Sequence, residues 1–323
     1  MANYLVTGSA GFIGARTAEL LITDGHTVVG IDNLNEAYDL RMKDYRLKRL
    51  QSLPGFTFRK LDISDKSIID EFHGQSFDGV INLAAWAGVR NSVKNPWVYV
   101  ESNMTGTLNM LEICRQTGTK KFVVASTSSI YGENPPYPTP ESASSSEPLQ
   151  PYAASKKGAE AMSHAYHHLY GIDVTVVRFF TVYGPAGRPD LSIFRFVQWI
   201  SEGRPVLVNG NGEQSRGFTY IDDIARGVIL ALKPVGFEVI NLGGHEVITI
   251  NNLIKLIEEV VGKKALVQYG PPDPADMRSN WADVSKAGTL LGWEPQFNMR
   301  AGIEKLVGWY NAERAWASEI QTT

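Results

Sequence analysis

The chain has 323 residues, 43% hydrophobic and 20% charged, with 31 basic against 34 acidic side chains and a net charge of -3. That balance gives no electrostatic footprint for nucleic acid or for an anionic membrane, so an anionic ligand has to be met by a few placed arginines. Cys114 is the single cysteine, which excludes a disulfide framework and a thiolate metal site; with no apolar run of membrane-spanning length and no basic signal region, the expectation is a cytoplasmic protein without metal.

The first predicted strand, "NYLVT" from Asn3, runs into "VTGSAGFIG", where Gly8, Gly11 and Gly14 recur at three-residue intervals before a helix over 12–24. Glycines there permit a sharp turn, a close approach of backbone to a pyrophosphate, and tight packing of helix on strand, while the helix N-terminus offers unpaired N–H groups to the phosphates. A second strand, "TVVGI" from Thr27, ends at Asp32, which lies 18 residues past Gly14. An acid about 20 residues on is the expected partner of an adenosine ribose, and with no arginine directly after it the pattern favours NAD over NADP. Next come a helix over 39–51, a strand "FTFRKL" from Phe56 closing on Asp62, a helix over 65–72, and the strand "GVINLAA" from Gly79. Asp62 is placed either to accept from the adenine amino group or to cap the helix after it, and small Ala84 and Ala85 leave room for a cofactor. With their neighbours Phe12, Ile13, Asn33, Ile63 and Leu83, these residues make up the expected dinucleotide site.

A helix over 96–117 leads to the strand "KFVVAS" from Lys121, whose end, "STSSIYG", carries four hydroxyls from Ser126 to Ser129. After a loop over 134–148, "PYAASKKGAE" opens a helix over 152–170 with Tyr152 and Lys156 four residues apart on one face. A free tyrosine has a pKa of about 10 and is a poor base at neutral pH. A neighbouring ammonium and a nicotinamide cation both favour the phenolate, which predicts that Tyr152 is drawn down toward the range useful for general acid–base work. The strand "VTVVRFF" from Val174 completes a series of continuous apolar strands separated by helices, the pattern of a doubly wound parallel sheet. Past Gly184, prolines and shorter elements mark a smaller mixed α/β region. The predicted organisation is a Rossmann domain over 1–184, with return segments over roughly 218–245, and a smaller C-terminal substrate domain over 185–323.

Gly8, Gly11 and Gly14 with Thr127, Tyr152 and Lys156 resemble the extended short-chain dehydrogenase/reductase superfamily, in which a Ser or Thr, a Tyr and a Lys form the catalytic triad. "LGWEPQFNMRAGIEKLVGWY" resembles the C-terminal segment of nucleotide-sugar epimerases, so the likeness covers nearly the whole chain. "DNLNEAYDLRMKDYRLKRL", "AAWAGVRNS", "RFFTVYGPAGRPDLSIFRF" and "SNWADVSKA" are most similar to the UDP-glucuronate 4-epimerase family. The resemblance implies an NAD-dependent isomerase acting on a UDP-sugar through a 4-keto intermediate, and a homodimer paired through the helices over 96–117 and 152–170. It also implies that Thr127 orients the carbon 4 oxygen. Similar dehydratases and decarboxylases keep carboxylic acids around the position of Ser129; a serine there supplies no acid for elimination and fits epimerisation instead.

For the sugar carboxylate and the diphosphate together the candidates are Arg90, Ser128, Ser129, Thr181 and Arg188, with Arg216 and Arg278 as further diphosphate candidates. Gly217 and Asp273 depart from the related pattern, which has an Asp at the first position and, in galactose enzymes, an Arg at the second. A UDP-glucose/UDP-galactose or N-acetylhexosamine 4-epimerase is the alternative within the same fold. A dinucleotide-sensing regulator is the alternative from another class, and it is disfavoured by the presence of both Tyr152 and Lys156.

Overall fold

Runs of Val, Ile and Leu without polar alternation put the early strands at the middle of a sheet covered on both faces. A computed structural model describes residues 1–272 and 279–322. Its first six strands are β1 (Asn3–Thr7), β2 (Thr27–Asp32), β3 (Phe56–Lys60), β4 (Gly79–Asn82), β5 (Lys121–Thr127) and β6 (Asp173–Phe179). The later ones are β7 (Thr181–Tyr183), β8 (Pro205–Asn209), β9 (Ser215–Tyr220), β10 (Phe237–Leu242), β11 (Glu246–Thr249) and β12 (Leu266–Gly270). Seven form one sheet in the order β10-β6-β5-β4-β1-β2-β3, every pair parallel. Side chains alternate between two cores: Val6, Ile81 and Val123 face one layer, and Leu5, Val80, Phe122 and Val124 face the other. The strand order reverses between β1 and β4, and such a switch point leaves a crevice beyond the carboxyl ends of the strands.

The helices of the first half are α1 (Phe12–Thr23), α2 (Leu40–Gln51), α3 (Ile68–Glu71), α4 (Val89–Lys94), α5 (Trp97–Tyr99), α6 (Gly106–Thr117) and α7 (Pro151–Tyr170). Two depart from expectation. The helix predicted over 65–72 keeps only α3, because Asp62 and Asp65 turn back to accept from the Ser64 and Ser67 N–H groups. The helix predicted over 96–117 contains a π-helical stretch, Val100–Thr105, between α5 and α6. It holds Asn103, whose amide donates to the Trp86 carbonyl and to Ser155, tying this helix to α7 and to the loop after β4.

Past β6 the helices are α8 (Ser192–Glu202), α9 (Ile221–Leu230), α10 (Ile250–Val261), α11 (Ser285–Leu291), α12 (Met299–Ala312) and α13 (Arg314–Ala317). Strands β7, β9 and β11 form one small sheet, and β8 with β12 another. Between them the chain returns to the large sheet, where α9 packs on α1 and β10 adds the edge strand beside β6.

Candidate active site

The turn after β1 is made by Gly8 at φ +67°, where an added Cβ would stand 2.8 Å from the Ala84 nitrogen. An added Cβ at Gly14 would come within 2.1 Å of the Gly8 carbonyl oxygen, so α1 lies against the turn as closely as backbone allows. No acidic residue occupies the first turn of α1, which leaves the positive end of its dipole uncompensated. At the end of β2, Asp32 accepts from the Ala10 N–H at 3.2 Å and the Leu34 N–H at 2.8 Å, and pairs with Lys43 at 3.2 Å. Lys43 comes from α2 and also donates to Asn35. Asp62 accepts from Asn33 at 2.8 Å and from Ser64; burial alone raises its pKa, but these bonds outweigh burial and hold it below the usual carboxylate range.

The four hydroxyls after β5 divide their work. Ser126 turns into the protein and donates to Glu160 at 2.6 Å. Thr127 caps the following 3₁₀ turn by accepting from the Ser129 N–H, donates to the Ser129 hydroxyl at 3.2 Å, and stands beside the Tyr152 phenol. Ser128 accepts at 3.1 Å from the amide of Asn280, which leaves its own hydroxyl hydrogen to point elsewhere.

Lys156, only 4% exposed, donates to the Ala125 carbonyl at 3.0 Å. Burial pushes its ammonium down to about 8, against the partial restoring pull of Glu160 one helical turn on. Glu160 is itself buried and bonded twice by Arg178, at 2.8 and 2.9 Å. The Tyr152 phenol stands above its ordinary value: burial raises it, and the Thr127 hydroxyl and the Arg188 charge oppose burial without overcoming it. The expected downward shift is therefore not produced by the surrounding protein groups, because desolvation of the phenolate exceeds their attraction. Arg188 is held by both oxygens of Asp190, at 3.0 and 2.6 Å. Tyr99 packs edge-on against the Tyr152 ring at 6.0 Å and anchors its own hydroxyl on the Gly88 carbonyl.

These groups line one cleft of about 440 Å³ at the carboxyl ends of the strands. One end carries Gly8, Gly11, Phe12, Ile13, Gly14, Asp32, Asn33, Asp62, Ile63, Leu83, Ala84 and Ala85; the other carries Thr127, Ser128, Ser129, Tyr152, Lys156, Thr181 and Arg188. Two sequence candidates lie off its lining. Arg90 is exposed at the start of α4, directly after Val89, which does line the cleft, and Arg216 on β9 donates to the Ser215 carbonyl at 2.7 Å. Arg278 lies outside the described residues. The cleft also draws in Tyr38, Lys43, Asp190 and Asn280, which sequence reasoning missed. Asp190 follows Arg188 by two residues in "GRPD", a local signal that was available; Lys43 comes from the next helix and Asn280 from distant chain, and neither gave one.

The doubly wound parallel sheet, with a glycine turn and an acid at one end of the cleft and a Tyr–Lys pair at the other, defines a protein of the extended short-chain dehydrogenase/reductase fold. Residues 4–243 match the model of the NAD dependent epimerase/dehydratase family. The chain belongs to that family. It is 54% identical over 312 residues to a UDP-glucuronate 4-epimerase of Thermodesulfobacterium geofontis, covering 96% of each chain. Among solved structures it is similar to the UDP-glucuronic acid 4-epimerase from Bacillus cereus in complex with UDP-glucuronic acid and NAD, at TM-score 0.88 and 35% identity, with 96% of this chain and 99% of that one covered. It is also similar to a UDP-glucose 4-epimerase from Thermotoga maritima, at TM-score 0.90 and 33% identity, covering 97% and 99%.

Proposed function

We propose that the protein is an NAD-dependent 4-epimerase that interconverts UDP-glucuronate and UDP-galacturonate. The observation that carries this reading is the shared wall of the cleft: Thr127 and Tyr152 line it together with Arg188, Ser128, Ser129 and Thr181, a cation and three hydroxyls suited to a carboxylate at carbon 6. The named activities of the Thermodesulfobacterium and Bacillus relatives support it.

In this reading residues 1–184, with α9 and β10, carry the dinucleotide, and 185–323 carry the nucleotide sugar. The close-packed glycine turn and the first turn of α1 suit the pyrophosphate, Asp32 and Asn33 the adenosine ribose, and Asp62 and Ile63 the adenine, with Leu83, Ala84 and Ala85 as the low wall. When bound, NAD supplies the hydride acceptor and donor for carbon 4 and a positive charge beside the phenol.

The chain's own groups do the rest. Tyr152 removes the proton from the carbon 4 hydroxyl and later returns it, with Thr127 orienting that oxygen. Lys156, charged at neutral pH with its pKa at about 8, keeps positive charge at the site while the Ala125 carbonyl fixes its direction. Asn280 makes Ser128 a donor toward the cleft, so the serine hydroxyl and Arg188 hold the carboxylate together. That grip also protects the substrate, since a 4-keto uronate is a β-keto acid and loses carbon dioxide when its carboxylate bond aligns with the ketone.

The active unit in this reading is a cytoplasmic homodimer joined through the helical stretch over 96–117 and the helix over 152–170. Trp97 at 73% exposure, Val100 just after it and Leu169 near the end of α7 supply apolar surface for such a contact, and the sole thiol, Cys114, is buried and free.

The test is a panel of UDP-glucuronate, UDP-glucose and UDP-N-acetylglucosamine, each incubated with purified protein without added cofactor. UDP-glucuronate is expected to give the higher kcat/KM by about 100-fold or more, since removing the carboxylate leaves buried donors unpaired. A preference for either hexose overturns the uronate assignment.

A further inference from the structure

Arg46 lies within α2, 4% exposed, and spends its guanidinium on two loops that belong to opposite ends of the cleft. Toward the dinucleotide end, Nη1 donates to the Ala10 carbonyl at 3.2 Å and to the Tyr38 hydroxyl at 2.8 Å. Toward the sugar end, Nε and Nη2 donate to the Ala186 carbonyl at 2.9 and 2.7 Å, and Nη2 reaches the Gly187 carbonyl at 3.1 Å. Ala10 belongs to the glycine turn, and its own N–H bonds Asp32. Ala186 and Gly187 lead straight into Arg188.

Ala186 adopts φ +52°, a left-handed conformation that a residue with a Cβ avoids unless its surroundings impose it. Among the described residues, the hydrogen bonds to its carbonyl come from Arg46. Without the Arg46 bonds, a residue with a Cβ would relax from this conformation to an ordinary one, and Arg188, two residues on, would move with it.

We propose that Arg46 is a positioning residue that couples the two halves of the cleft, so that ordering of the glycine turn by the dinucleotide favours the clamped Ala186 turn and thereby the binding of the sugar nucleotide. The inference rests on the reading of the second half of the cleft as a UDP-sugar site. It makes no use of direct contact between the two ligands. Because coupling is reciprocal, the sugar nucleotide must tighten the dinucleotide by the same factor.

The experiment is equilibrium dialysis of NAD from purified holoenzyme carrying Tyr152→Phe, which holds substrate without turning it over, with and without saturating UDP-glucuronate. With Arg46 present, UDP-glucuronate is expected to tighten NAD by about 5- to 150-fold, the usual range for coupled sites. Arg46→Lys keeps the charge, loses the fork, and is expected to lower the factor several-fold, to what the contact of nicotinamide with the sugar supplies alone. Adding Ala186→Gly to Arg46→Lys restores UDP-glucuronate affinity, since glycine takes that φ without strain, but leaves the coupling lowered. Ala186→Gly alone, with the guanidinium in place, also lowers the factor. Retention of the full factor in Arg46→Lys, or equal weakening of both ligands with the factor intact, overturns the clamp and assigns Arg46 a purely structural role. Failure of the parent protein to bind UDP-glucuronate at all overturns the substrate reading, and the clamp with it.

Discussion

Replacing Lys156 with methionine should separate stability from function in a pH-dependent way. The wild-type ammonium is fully buried, with its pKa at about 8 against an ordinary 10.5. That difference is worth about 3 kcal/mol between the two protonation states. The sign follows from the depressed folded value. Below pH 8 both folded and unfolded chains carry the proton, and the folded state bears the whole penalty. Between pH 8 and 10.5 the folded protein sheds its proton first, so stability rises with pH, and above 10.5 the penalty is gone. Methionine keeps the stem and removes the charge, but it strands the Ala125 carbonyl at a cost of about 1–3 kcal/mol. The variant should therefore match or exceed the wild type by up to about 2 kcal/mol at pH 7, and fall below it by about 1–3 kcal/mol above pH 10. Urea unfolding of both proteins, freed of NAD, at pH 7 and pH 10 measures the change; other titrating groups cancel in the difference. Epimerase activity should be lost at both pH values. A stability difference that does not move with pH would refute the assignment of a buried, depressed ammonium.

Gly14→Ala forces a Cβ to 2.1 Å from the Gly8 carbonyl oxygen, which has no side chain to yield. It should destabilise the protein by about 3 kcal/mol, seen in denaturant unfolding, and purified material should have lost its bound cofactor absorbance. Glu160→Gln breaks the buried pair with Arg178 and should cost about 3–5 kcal/mol, read as a fall in Tm; a loss under about 1 kcal/mol would show that the pair is replaceable. Asn280→Asp converts the donor facing Ser128 into an acceptor and adds negative charge to the cleft. It should lower kcat/KM for UDP-glucuronate by about 10- to 100-fold while leaving UDP-glucose nearly untouched, in the assay already described.

Local pattern carried much of this molecule into view. Continuous apolar strands such as "KFVVAS" announce a covered parallel sheet, and the glycine interval, the acid after β2 and the Tyr–Lys spacing on α7 are short-range features that bring their residues to one cleft. What escaped depends on bonds between distant segments. Lys43 meets Asp32 from a different element, Arg46 reaches Ala186 across 140 positions, and Asn280 meets Ser128 across 152. The short α3 escaped because Asp62 and Asp65 spend their carboxylates on local turns that compete with helix. The direction of the Tyr152 shift escaped because burial, which no spacing rule reports, outweighs the charges around it.

The proposed catalysis rests on one reversible exchange at carbon 4, in which Tyr152 moves the proton and the hydride returns to the carbon it left. Incubating UDP-glucuronate deuterated at carbon 4 with purified protein in ordinary water tests that most directly. The predicted product is UDP-galacturonate with the deuterium retained at carbon 4 and no net reduced cofactor. Washout of the label into solvent, or failure to invert that carbon, would contradict it.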